Sequence, residues 1–297
     1  MKKHMVPVLW AAILLLAGCS GTKGTEDGTS GVSSAVQAAV TTAATTSSET
    51  TKLMETTAAS AAPAELVLPL TENTTGKVQI QTVSGSLSYK YNSYIITSAE
   101  GESVVVDPTS MPSVDIVDIN PAAIISTHAH DDHVSKKFTD AYDCQKIMYT
   151  KADIKTKDFH IYTVPSSHAD DMILDNATNY IAVFEVDGLR IAHMGDIGQT
   201  VLTDDQLAAI GEIDIAFMQF ENSYSNMSLK NEKGFNLIEQ LNPKIIIPTH
   251  YTEAAIPVLT EKYGAVQEFD NVLAVSREDL PEKALTVYHI TNTHKYS

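Results

Sequence analysis

The segment Ser126-Thr127-His128-Ala129-His130-Asp131-Asp132-His133 follows directly on an apolar run at 122–125, and nothing else in the chain constrains the fold as strongly. Imidazoles and carboxylates crowded this closely leave desolvated lone pairs and like charges unless a cation binds them. An apolar run that ends in such a loop reads as a buried strand presenting polar chemistry at its tip. A metal ion is the simplest answer to the crowding.

Three later segments place further donors at the ends of apolar runs. They are Val164-Pro165-Ser166-Ser167-His168, Ile191-Ala192-His193-Met194-Gly195-Asp196 and Ile245-Ile246-Ile247-Pro248-Thr249-His250-Tyr251. Together with the first cluster they supply His128, His130, His133, His168 and His250 with Asp132 and Asp196, a set too large for one ion and suited to two. Imidazole and carboxylate donors without thiolate favour zinc, with manganese or iron as alternatives.

Apolar or alternating runs predict strands at 77–82, 86–96, 103–106, 122–126, 146–149, 160–164, 180–186, 189–194, 213–218, 244–248 and 284–289. Helical patterns fall at 135–142, 203–210, 232–241 and 253–263, the second opened by Thr203 with Asp204 and Asp205 behind it. Strands interspersed with helices predict an α/β (α+β type) arrangement, a mixed sheet covered by helices. No internal repeat is visible.

The N-terminus has its own logic. Lys2 and Lys3 precede an apolar run at 6–17, too short for a permanent membrane span, and Ala17-Gly18 leads into Cys19. Segment 1–18 resembles a bacterial lipoprotein signal, which implies lipidation of Cys19 and attachment to the exported face of a cell membrane, extracellular or periplasmic. Residues 19–64 are rich in Thr, Ser and Ala with few aromatics and read as a disordered stalk, leaving 65–297 as one folded domain.

Formal charge is −17, so a nucleic-acid partner is disfavoured and a small-molecule substrate expected. Only Cys19 and Cys144 are present, so no disulfide framework holds the domain; Cys144, near Ile147 and Met148, reads as a small buried hydrophobe.

With these residues in place, the chain resembles the metallo-β-lactamase superfamily. The pattern HxHxDH is complete as His128, His130, Asp132 and His133, and is followed in order by His168, Asp196 and His250. Val106-Asp107-Pro108, Gly195-Asp196-Ile197-Gly198 and Ile247-Pro248-Thr249-His250-Tyr251 make it most similar to the ascorbate-6-phosphate lactonase-like hydrolases. The resemblance implies a four-layer αββα sandwich with metals at one edge. It also implies that His128, His130 and His168 hold one ion, that Asp132, His133 and His250 hold the other, and that Asp196 bridges them. Asp107, and His193 beside the strand end, would orient these ligands from behind.

The implied chemistry is hydrolysis of an ester, lactone, amide or phosphodiester by a metal-bound hydroxide, with Asp132 helping to hold the nucleophile and Tyr251 offering a hydroxyl to the developing oxyanion. The sequence departs from these relatives at Lys90-Tyr91-Asn92-Ser93, where they carry a histidine, and at Asn226-Met227-Ser228, so their substrate is not carried over. The alternative is a surface lipoprotein of the same fold that binds metal or ligand without turnover.

Overall fold

A computed structural model of the chain describes residues 70–84, 91–109, 119–170, 176–282 and 284–292. Segment 1–18, Cys19 and the stretch at 19–64 lie outside these residues, as do 86–90 of the expected second strand. The described residues fall within one unit, Ser60–Ser297.

In chain order the strands are β1 (Val78–Thr82), β2 (Tyr94–Thr97), β3 (Ser103–Val106), β4 (Ala123–Ser126), β5 (Gln145–Met148), β6 (Asp153–Lys155), β7 (Phe159–Ser166), β8 (Asn179–Val186), β9 (Leu189–His193), β10 (Ile215–Gln219), β11 (Ile245–Thr249), β12 (Gln267–Asp270), β13 (Val272–Val275) and β14 (Thr286–Thr291). Among the described residues four α-helices accompany them: α1 (Lys136–Asp140), α2 (Asp204–Ile210), α3 (Lys233–Leu241) and α4 (Ala255–Tyr263). The strands form a six-stranded sheet ordered β13-β1-β2-β3-β4-β5 and an eight-stranded sheet ordered β12-β14-β11-β10-β9-β8-β7-β6.

Alternation within the strands decides how the layers stack. Ile245 and Ile247 pack into the core between the sheets, whereas Ile246 between them faces α2, α3 and α4 on the outer side. Consecutive isoleucines are therefore all buried, as expected for a strand covered on both faces. Val104 and Val106 face the same inner core and Val105 faces outward toward Phe138 of α1. The result is the four-layer αββα sandwich, with α1 on one side and α2 to α4 on the other.

Helix placement follows local signals. Thr203 caps α2 by accepting from Gln206 N, and Gln206 returns a bond to the Thr203 backbone, a reciprocal capping box. α3 buries Phe235, Leu237, Ile238 and Leu241, each contributing roughly 1.5–3 kcal/mol of transfer free energy.

Several features depart from the sequence reading. Within the described part of the expected strand at 86–96, strand begins at Tyr94, because Tyr91 and Asn92 form a turn. β6, β12 and β13 were not anticipated: β6 and β12 are short edge strands whose side chains are largely exposed, so no apolar alternation marks them. Cys144 is half-buried at the margin of the outer core beside α1 rather than enclosed.

Candidate metal centre

The site forms where loops leave the ends of β4, β7, β9 and β11. β9, β10 and β11 run parallel, so Asp196, shortly after β9, and His250, immediately after β11, emerge at the same sheet edge. β4 delivers His128 to His133 from the facing sheet, and β7 ends two residues before His168.

Two strand-end residues turn sharply to do this. Asp107 has φ 48° and His250 φ 39°, left-handed conformations that cost a non-glycine residue free energy and persist only where surroundings enforce them. Gly195, at φ 57°, has a different reason: a Cβ there would lie 2.4 Å from Asn179 Oδ1 and 2.7 Å from Thr127 Oγ1. Gly198 lets the Asp196 loop press on the His168 loop, since a Cβ would fall 2.3 Å from the His168 carbonyl oxygen.

The seven donors converge as two groups sharing one carboxylate, His128, His130, His168 and Asp196 in one, Asp132, His133, Asp196 and His250 in the other, with candidate ligand atoms within 4.8 Å of one another in each. Asp196 Oδ2 lies 3.4 Å from His128 Nε2 and 3.5 Å from His168 Nε2. Its other oxygen, Oδ1, lies 3.1 Å from His133 Nε2 and 2.9 Å from His250 Nε2. Asp132 closes the second group, with Oδ2 at 3.6 Å from His133 Nε2 and 3.7 Å from His250 Nε2.

The donor set fits two divalent cations on the structure's own terms. His128 Nε2, His168 Nε2 and Asp196 Oδ1 are buried without a hydrogen-bond partner among the described residues, a costly state for polar atoms. His133 Nε2 and His250 Nε2 approach to 2.8 Å. Since His133 Nδ1 sits 2.7 Å from Asp107 Oδ2, that nitrogen is engaged there and Nε2 is the atom that faces the cluster. Two ring nitrogens this close, both beside Asp196 Oδ1, mark a place for a positive ion.

Electrostatics agree. Burial and the neighbouring His133 push His128 down to about 2, against the pull of Asp196 and Asp107. Burial would lower His133 too, but the charges of Asp196 and Asp107 and its hydrogen bond to Asp107 hold it well above its ordinary value. Asp196 would be raised by burial, yet the charges of His133 and His250 hold it well below the carboxylate range.

Behind these side chains, Asp107 is fully buried and accepts from Thr127 N at 2.7 Å and Thr127 Oγ1 at 2.8 Å as well as facing His133. Burial opposes its ionisation, but the charge and hydrogen bond of His133, with His193 and His128, keep its pKa low. His193 Nδ1 lies 3.6 Å from Asp107 Oδ2, and burial pushes this imidazole down to about 4.

Tyr251 is placed differently from the oxyanion role expected of it. Its hydroxyl pairs with His289 Nε2, and its ring stacks on Tyr91 at 4.4 Å, so the phenol is committed to buried packing behind His250. The Tyr91 hydroxyl in turn donates to Glu253.

Three amides escaped the sequence reading. Asn222 Nδ2 donates to Asp196 Oδ2 at 2.6 Å, and Asn179 Oδ1 accepts from Asp196 N at 3.0 Å, so both fix the shared carboxylate. Asn92 Nδ2 lies 2.9 Å from His250 Nε2 and donates to the Asp132 carbonyl at 3.3 Å. Asn92 and Asn222 fall in or beside the two segments that depart from the relatives, the only signal that pointed near them.

Two stacked sheets with a histidine and carboxylate cluster at one edge define a metal-site sandwich. The chain belongs to the beta-lactamase superfamily, whose domain model matches residues 87–250. It is similar to a UPF0173 metal-dependent hydrolase of Enterococcus faecalis, 25% identical over 54% of this chain and 83% of that protein. A UPF0173 metal-dependent hydrolase of Natranaerobius thermophilus is likewise 25% identical, covering 56% of this chain and 82% of the relative. A solved structure from Thermotoga maritima, of the metallo-beta-lactamase superfamily, superposes with a TM-score of 0.53 at 20% identity, covering 72% of this chain and all of that one.

Proposed function

We propose that this protein is a metal-dependent hydrolase with a dinuclear centre, acting on an ester, lactone, amide or phosphodiester. The observation that carries the reading is the division of Asp196: one oxygen faces His128 and His168, the other His133 and His250. When bound, two divalent ions, zinc by the chemistry of the donors, would supply a water acidic enough to react at neutral pH and polarise the oxygen that becomes anionic. His128, His130 and His168 would hold one, Asp132, His133 and His250 the other, and Asp196 both.

The chain's own residues do the rest. Asp132 is partly exposed toward the cleft, placed to accept a proton from the attacking water and return it to the leaving group. Asp107 holds His133 in the tautomer that presents Nε2, and Asn222 with Asn179 holds Asp196 in register. The names of the curated relatives and the local motifs shared with lactonase-like hydrolases support the same reading.

The test is a panel of esters, lactones, amides and phosphodiesters assayed before and after dialysis against a chelator. Turnover of at least one class should vanish on chelation and return with a divalent cation. Silence across the panel at full metal content would favour the non-catalytic binding lipoprotein instead.

We also propose that Cys19 carries a lipid that anchors the enzyme to the exported face of the membrane, on the strength of the signal-like segment before it. A Cys19→Ser variant should move from the membrane to the soluble fraction. An unchanged distribution would dispose of the anchor.

A further inference from the structure

A cavity of about 460 Å³ opens beside His128, His130 and His168, within the size range of about 300–1,000 Å³ common for small-molecule sites. Apart from those histidines it is walled by Tyr149, Tyr180, Ala129, Ala169, Ala177 and Thr178. No lysine, arginine, aspartate or glutamate lines it among the described residues, although the chain as a whole is strongly acidic. The small alanines leave room, and the two tyrosines supply flat faces.

The walls are tied to the site itself. Tyr149 N donates to the Ser126 carbonyl at 2.8 Å and Tyr180 N to the Thr127 carbonyl at 2.9 Å, the two residues that lead into His128. Thr178 Oγ1 accepts from His168 N at 2.9 Å. Tyr149 takes a left-handed backbone at φ 38° immediately after β5, and its side chain stays 45% exposed, an unusual commitment for a large aromatic with no core to fill. An aromatic-walled recess next to the reacting centre selects a flat, apolar group.

We propose that Tyr149 and Tyr180 bind an aromatic portion of the substrate, placed next to the bond to be cleaved. This rests on the hydrolase reading for the reaction but on the cavity alone for the binding. The test therefore has two arms, using the full metal-loaded protein and the variants Tyr149→Ala and Tyr180→Ala, with metal content and melting temperature matched to wild type. In the first, calorimetric titration with 2-naphthol should give a Kd about tenfold weaker in each variant.

In the second arm, the ratio of kcat/KM for 2-naphthyl acetate to that for ethyl acetate should fall about tenfold in Tyr149→Ala, chiefly through KM. Tyr149→Phe should retain the wild-type ratio, because the ring and not the hydroxyl makes the contact. Equal affinity of wild type and both alanine variants for 2-naphthol would overturn the proposal. Absence of ester turnover with intact naphthol binding would instead count against an ester as the substrate and leave the recess standing.

Discussion

On the proposed function, replacing Asp196 with alanine should lower kcat/KM on any substrate turned over by about 10³-fold or more, since it removes several kcal/mol of electrostatic stabilisation and each 1.36 kcal/mol is tenfold in rate. Among the described residues the carboxylate is the side chain shared by both donor groups, with its two oxygens turned to different imidazoles. Its loss leaves two buried and two partly buried imidazoles without an anion between them, so metal measured per chain by elemental analysis should fall below half the wild-type value. Asn222 would also lose the acceptor of its 2.6 Å bond. Wild-type metal content together with wild-type turnover in this variant would refute the shared-carboxylate arrangement.

Replacing Asp107 with alanine should cost stability as well as activity. The carboxylate is fully buried and carries bonds from Thr127 and His133. Removing one partner of such a buried ion pair costs about 3–5 kcal/mol, because the other is left desolvated and unpaired. For a domain of this size that lowers Tm by roughly 6–20 °C at about 2–4 °C per kcal/mol. Metal affinity should drop about 10- to 100-fold, as when an outer partner of a ligating histidine is removed. Asp107→Asn, which keeps the shape and the acceptor oxygen, should recover most of the Tm but less of the affinity, since a neutral amide does not support His133 electrostatically. A Tm within a degree of wild type for Asp107→Ala would sink this account.

Much of the architecture was legible because burial on two faces writes itself plainly. Ile245-Ile246-Ile247 and Val104-Val105-Val106 are apolar without alternation, and each lies between two layers. The donors were legible for a related reason: His128 to His133 is too polar to follow a buried strand unless it has work to do there. What escaped notice obeys different physics. β12 is an exposed edge strand of Gln, Glu, Phe and Asp held by pairing with β14, and pairing leaves no mark on its own composition. Asn92, Asn179 and Asn222 become meaningful only when distant loops close on the cluster, and a single amide has no spacing to betray it. Tyr251 misled for the opposite reason, since adjacency to His250 says nothing about which way a side chain turns after a left-handed residue.

The pairing of β1 with β13 joins Val78 to Val275, residues near opposite ends of the domain. One margin of the six-stranded sheet therefore stays open until nearly the whole chain has been synthesised. Such long-range closure makes for slow folding, because the entropy of bringing the ends together is spent before the contacts repay it. A newly made chain consequently remains pliable for some time, and the cluster, drawn from loops between His128 and His250, cannot be assembled until the late strand carrying its last histidine has docked.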